Sequence, residues 1–302
     1  MANYRSGLLT PPREEEERRL HRPVWRGLII ENAALIGIMV TLFVVQAFIG
    51  LTVPARLGQV VNVLIALLPA GIWILFSVSL ERAYPQPRER LIAVAALCAL
   101  LARAIGVPLV EDVLKTDQWL PLSPALNRII GYTFSAGVVA CGLCYLAIRA
   151  VAWPDHIRDR YDVIAYAAAA AVGYTLVPNV ELALAGQPMA YVVALNTFAS
   201  VSVLTLSMIF VGYGMAGTLF DGASSLLQPV TMAISALILG AAIPLRQGFL
   251  NASFAVGGTS LPRYIFGIGF VTALFAGGVF VLHFLFRFAE KQATERELGQ
   301  VE

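Results

Sequence analysis

Long apolar runs separated by short polar breaks dominate the pattern of the chain. A helix needs about 20 apolar residues to cross the hydrocarbon of a bilayer. Eight runs reach that length, at roughly 28–51, 58–80, 90–110, 128–152, 161–183, 188–217, 229–246 and 262–288. The pattern predicts an all-α fold, a polytopic membrane bundle of about eight transmembrane helices. A cytoplasmic N-terminal tail, 1–27, precedes the membrane domain at 28–288, and a cytoplasmic C-terminal tail, 289–302, follows it. The sixth run is long enough to tilt or to extend beyond the bilayer. Pro69, Pro178 and Pro244 fall inside runs, and each is expected to kink or end a helix locally. Such breaks are tolerated where neighbouring helices cover the freed carbonyl. The widest break, 111–127, is Pro-rich and carries Trp119. It reads as a surface loop with an interfacial aromatic, and no break is long enough for a soluble domain.

Composition agrees with the pattern. The chain has 302 residues, is 58% hydrophobic and 13% charged, and has a mean hydropathy of +0.76. Soluble domains carry about one quarter charged residues. Lys and Arg set the orientation. Fifteen of the 21 fall in the N-terminal tail, the even-numbered loops and the C-terminus, five fall in the odd-numbered loops, and Arg103 lies within a span. That excess places both termini in the cytoplasm. The small net charge of +2 sits at the ends and in short loops, so no nucleic-acid partner is expected. The first 27 residues end in the basic run "RRLHRPVWR", and no small-residue cleavage site follows a short apolar core, so the first span is expected to be retained. "EEEERR" at 14–19 reads as a solvated tail or the start of a surface helix. Cys98, Cys141 and Cys144 all lie in apolar runs, which is no disulfide framework. The absence of a Walker motif or Gly-rich phosphate loop argues against an ATPase and leaves a secondary transporter open.

Four blocks carry a resemblance. The first, 65–102, is an apolar helix with a central proline, a charged Pro-containing turn and a second helix. The second, "RDRYDVIAYAAAAAVGYTLVPNVELAL" at 158–184, holds Asp162, Tyr166, Gly173 and Asn179. The third, "RQGFLNA", holds Gly248 and Asn251, and the fourth lies in "SAGVVACGLCYLAIR" at 135–149. In order and spacing they are similar to the PrsW family of intramembrane proteases, which belongs to the superfamily of the CAAX prenyl proteases. The resemblance covers a core of about 65–252. It implies a catalytic Glu-Glu-x-x-Lys where this chain has Ala140, Cys141 and Cys144. It implies a further Glu where Pro178 stands, a His where Gln247 stands, and another His in the sixth span, which has none. It also implies a bacterial plasma-membrane location.

Peptide hydrolysis needs an activated water, a base and a group that stabilises the oxyanion. The family's acids and histidines are all replaced here, so the resemblance implies a degenerate member without catalytic residues. No metal or other cofactor is expected. Asn179, Asn251, Asp162 and Tyr166 remain as a candidate polar cluster, with Asp162 and Tyr166 expected to fix the start of the fifth span. "PLVEDVLK" at 108–115 imitates the lost motif through Glu111, Asp112 and Lys115, but a whole span separates it from Asp162. To reach the other family positions it would have to replace the fourth span. Glu181 reads as an interfacial charge, and Glu31 and Arg103 as charges able to pair across helices. The small-residue run 165–173 and Gly240, Gly267, Gly269, Gly277 and Gly278 favour close helix packing, within the chain or with a partner. Three functions compete. One is a pseudoprotease acting as a binding or structural subunit among other membrane proteins, or as a homo-oligomer, in contact with membrane lipids. Another is an active protease with a rearranged site built on Glu111, Asp112 or Glu181. The third is a transporter or permease lined by Pro178, Asn179, Gln247 and Asn251.

Overall fold

The computed structural model describes residues 24–48, 55–79, 88, 90–185, 189–251 and 261–299. Among them, eight helices are long and apolar enough to cross a membrane, and no strand is present. The chain is an all-α polytopic bundle. Helix α1 is Val24–Phe48. Helix α2 is Ala55–Trp73, continued by a wider π turn at Ile74–Val78. Helix α3 is Leu91–Leu101, continued through π turns at Ala102–Gly106 and Leu109–Val113. Helix α4 runs through Ala125–Tyr132, a π turn at Thr133–Gly137, and Val138–Val151. Then follow α5 (Arg160–Leu184), α6 (Ala190–Phe220), α7 (Leu227–Asn251) and α8 (Leu261–Gly299).

Of the kink or helix end expected at Pro69, Pro178 and Pro244, the end does not occur: all three lie inside their helices. Packing on neighbouring helices outweighs the one hydrogen bond each proline removes. Helix α8 continues through 289–299, so this part of the expected tail is helical. "EKQATEREL" is rich in good helix formers, so the helix persists after its apolar run ends. Most of the predicted N-terminal tail, 1–23, lies outside the described residues.

Two helices form the centre. In α5 and α6, 67% and 83% of the apolar stretch is buried, against 28–39% in the other six. Helix α6 packs on α1, α2, α4, α5, α7 and α8, while α5 packs on α2, α3, α4 and α6. The sequence explains the position of α5. Residues 166–173 are small apart from Tyr166 and Val172, and all are buried. A Cβ at Gly173 would collide with the Ala95 carbonyl oxygen of α3, so the two backbones touch there. Helices α4 and α7 cross as closely: a Cβ at Gly137 would meet Ala236, and one at Gly240 would meet the Thr133 backbone. Gly278 lies against Leu206, as small-residue packing requires, whereas a Cβ at Gly269 or Gly277 would have nothing within 4 Å. Polar contacts fasten α1 to α6 and to α2: Ser202 Oγ of α6 donates to Asn32 Oδ1 at 2.6 Å, and Ser77 Oγ, on the π turn that continues α2, donates to Glu31 of α1.

Candidate functional site

The ends of α3, α5 and α7 and the first halves of α4 and α6 enclose a cavity of about 250 Å³. This is the side that the charge asymmetry of the loops is expected to place away from the cytoplasm. Gly106, Ala140, Tyr174, Leu204 and Leu239 line its inner part. Glu111, Pro178, Ser200 and Arg246 line it nearer the helix ends. Helix α7 carries the wall from Leu239 to Arg246, which at 1.5 Å per residue is about 10 Å.

Two of the positions at which the resemblance implies acids meet here. Ala140 of α4 and Pro178 of α5 lie on the same wall, although 38 residues separate them in the chain. Cys141 and Cys144 are buried in α4 outside the lining, with Cys144 Sγ 3.7 Å from the Ala170 carbonyl oxygen of α5. Gln247 is half-buried and follows Arg246, which does line the cavity. Asn179 is buried next to Pro178 and accepts a hydrogen bond from Ser200 Oγ at 3.0 Å. The side chain of Asn251 lies outside the described residues.

Asp162 and Tyr166 do not belong to this place. Asp162 lies seventeen residues before Asn179 on one run of helix, which is about 25 Å. The candidate polar cluster therefore separates into two ends of α5. At the inner end Asp159 is the N-cap: its Oδ1 accepts from the Asp162 N–H at 2.7 Å. Asp162 Oδ2 accepts in return from the Asp159 N–H at 3.4 Å and from the Arg158 N–H at 3.0 Å. Its other oxygen pairs with Arg88, and both side chains are only 4% exposed. Tyr166 donates its hydroxyl to the His156 carbonyl at 3.4 Å. Burial, followed by the neighbouring Asp162 charge, raises the Asp159 carboxyl above 3.8, against the opposing pull of its backbone hydrogen bonds and of Arg88. This constellation is a helix start, as the sequence suggests for Asp162 and Tyr166.

The structure also relocates several charges. Arg103, on a π turn of α3, pairs with Glu181 of α5 and not with Glu31, which is bonded to Ser77. Glu111 reaches the lining shared by Ala140 and Pro178 with α4 still in place, because the π turn at Leu109–Val113 carries α3 on to the cavity rim. Arg246 was legible only as a loop cation. It is half-buried at the end of α7, and its Nη2 donates to Asn196 Oδ1 of α6 at 2.9 Å. The one signal in the sequence was its place as the first residue of the "RQGFLN" block, directly after an apolar run. Among the described residues no three His, Cys, Asp or Glu side chains converge as a metal site would require.

Comparisons with protein-family models, curated proteins and solved structures give no match. The fold itself defines the class: a multi-pass helical membrane protein.

Proposed function

We propose that this is a PrsW-like bundle without proteolytic activity, serving as a binding or structural subunit of a membrane protein complex in a bacterial plasma membrane. One observation carries the reading: Ala140 and Pro178, at which the resemblance implies acids, stand on the wall of one cavity. A water entering there meets one carboxylate, Glu111, and an otherwise largely apolar lining. Hydrolysis asks for a base together with a second group that protonates the leaving amine or polarises the carbonyl.

The presence of Glu111 and Arg246 on one lining favours a second reading. Glu111 would act as the base and Arg246 as the oxyanion donor of a rearranged protease. The decisive experiment has two parts. Gentle extraction and native mass spectrometry should return a stoichiometric complex with another membrane protein or with a second copy. Reconstituted protein should leave a panel of fluorogenic transmembrane peptides intact. Cleavage that disappears in Glu111→Gln establishes the second reading and ends the first.

A further inference from the structure

We infer that the cavity holds an anionic amphiphile with a single chain, its head on Arg246 and its first methylenes against Ala140, Leu204 and Leu239. This rests on the reading that the cavity binds rather than cleaves. Three observations point to it.

The first is an excess of donors. Arg246 Nε is buried with no acceptor among the described residues, and so is Asn179 Nδ2. Their positions are linked through α6. Arg246 bonds Asn196, Asn179 bonds Ser200, and Asn196 and Ser200 are four residues apart, one turn above the other on the same face. Arginine from α7 and asparagine from α5 therefore approach one α6 face about one turn apart. Buried donors without acceptors are costly, and a guanidinium presents a planar fork that fits carboxylate or phosphate oxygens. Of the two, only Arg246 is among the lining residues, and its unmet donor calls for an acceptor-rich anion.

The second observation is polarity. Arg246 lies at the helix-end side of the cavity, and the lining toward Gly106 and Leu239 carries no charge, its polar group there being the Tyr174 hydroxyl beside Gly106. A charged head near the membrane surface with an apolar tail pointing inward is the arrangement of a lipid in the outer leaflet. Glu111, on the α3 rim, is exposed, and its like charge is therefore weakened by solvent.

The third observation is size. The space measures about 250 Å³. That suits one stretch of chain. A helix measures 10–12 Å across with its side chains, and a 10 Å length of it does not fit.

The test uses dodecanoate with a terminal diazirine, photolysed on full-length protein in phosphatidylcholine nanodiscs. Cross-links are expected on the inner lining, at Ala140, Leu204 or Leu239. Arg246→Gln should lower labelling roughly tenfold or more, and Arg246→Lys should fall between. Glu111→Gln, which removes a like charge from the rim of the cavity, should raise labelling. Ala140→Phe, which fills the space and keeps the arginine, should abolish it, so the result does not depend on how Arg246→Gln folds. Competition identifies the source: displacement by unlabelled dodecanoate alone means a fatty carboxylate, and displacement by dodecyl phosphate means a phosphate-headed lipid. Equal labelling of Arg246→Gln and wild type, or cross-links confined to α1 and α8, overturns the inference. A short peptide with a free C-terminal carboxylate that displaces the probe better than either amphiphile also overturns it and gives the cavity to a peptide. A complex recovered by native mass spectrometry with no cavity labelling sinks this inference alone. Cavity labelling together with Glu111-dependent cleavage sinks the functional reading instead.

Discussion

At the scale of single residues, the start of α5 separates hydrogen bonding from charge. Asp159 must accept the Asp162 N–H, and an amide oxygen does this as well as a carboxylate. Asp159→Ala should therefore cost about 1 kcal/mol of stability, and Asp159→Asn very little, as thermal unfolding in detergent would show. The pH dependence adds a sign. The Asp159 carboxyl is raised in the folded protein by burial and by the Asp162 charge. An acid raised on folding contributes stability that is fully present below its unfolded value and lost as pH rises through its folded value. Wild type should thus lose stability relative to Asp159→Asn as pH rises from below 3.8, and the opposite trend would refute the assignment. Gly173 is a second sharp site, since any Cβ there meets the Ala95 carbonyl oxygen. Gly173→Ala should cost about 1–3 kcal/mol, because backbone rather than a flexible side chain has to move. Asp162, Tyr166 and Gly173 were legible as structural residues because their roles are local or set by size. Arg246 was not, because its meaning depends on Asn196, 50 residues earlier.

At the scale of elements, the pair of Arg88 and Asp162 ties the chain just before α3 to the first turn of α5. With both side chains 4% exposed, removing one partner leaves a buried charge. Arg88→Met and Asp162→Asn should each cost about 3–5 kcal/mol, and the double variant less than their sum. Additive losses in a double-mutant cycle would mean that the pair carries no coupling. The helices themselves were legible from hydropathy, since each must offer about 20 apolar residues to lipid. Their π turns were not. Ala102–Gly106 and Leu109–Val113 have no local sequence signature, yet they bring Arg103 to Glu181 and Glu111 to the cavity. Of the two outcomes expected at the prolines, a kink or a helix end, the second does not occur. A proline is costly in an isolated helix, but α2, α5 and α7 are each supported by neighbours along their length.

At the scale of the whole molecule, the number of spans could be read from the chain, but their arrangement could not. Lipid-facing and helix-facing apolar residues are chemically alike, and nothing in the α6 sequence alone marks it as the most buried helix. The cavity draws on five helices and on residues from Gly106 to Arg246, so its lining exists only after assembly. The alanine run in α5 was the one visible hint of a centre, because small residues give little to lipid and much to a close neighbour.

The central place of α5 has a consequence for biogenesis. Its mean hydropathy, 1.5, is the lowest of the eight spans, yet it lies at the middle of the finished protein. A segment that partitions weakly into lipid enters the bilayer poorly on its own, and its Ala-rich surface is suited to helices rather than to acyl chains. Much of that surface is covered by α6, which is synthesised next. A nascent chain stopped after Ala185 should therefore be unstable in the membrane, and one extended through Asp221 should survive. Pulse-chase of the two truncations would show it: rapid turnover of the first and protection of the second are expected, and equal lifetimes would refute the dependence. The element that organises the folded bundle is thus, for a short time during synthesis, the one that most depends on the chain still to come.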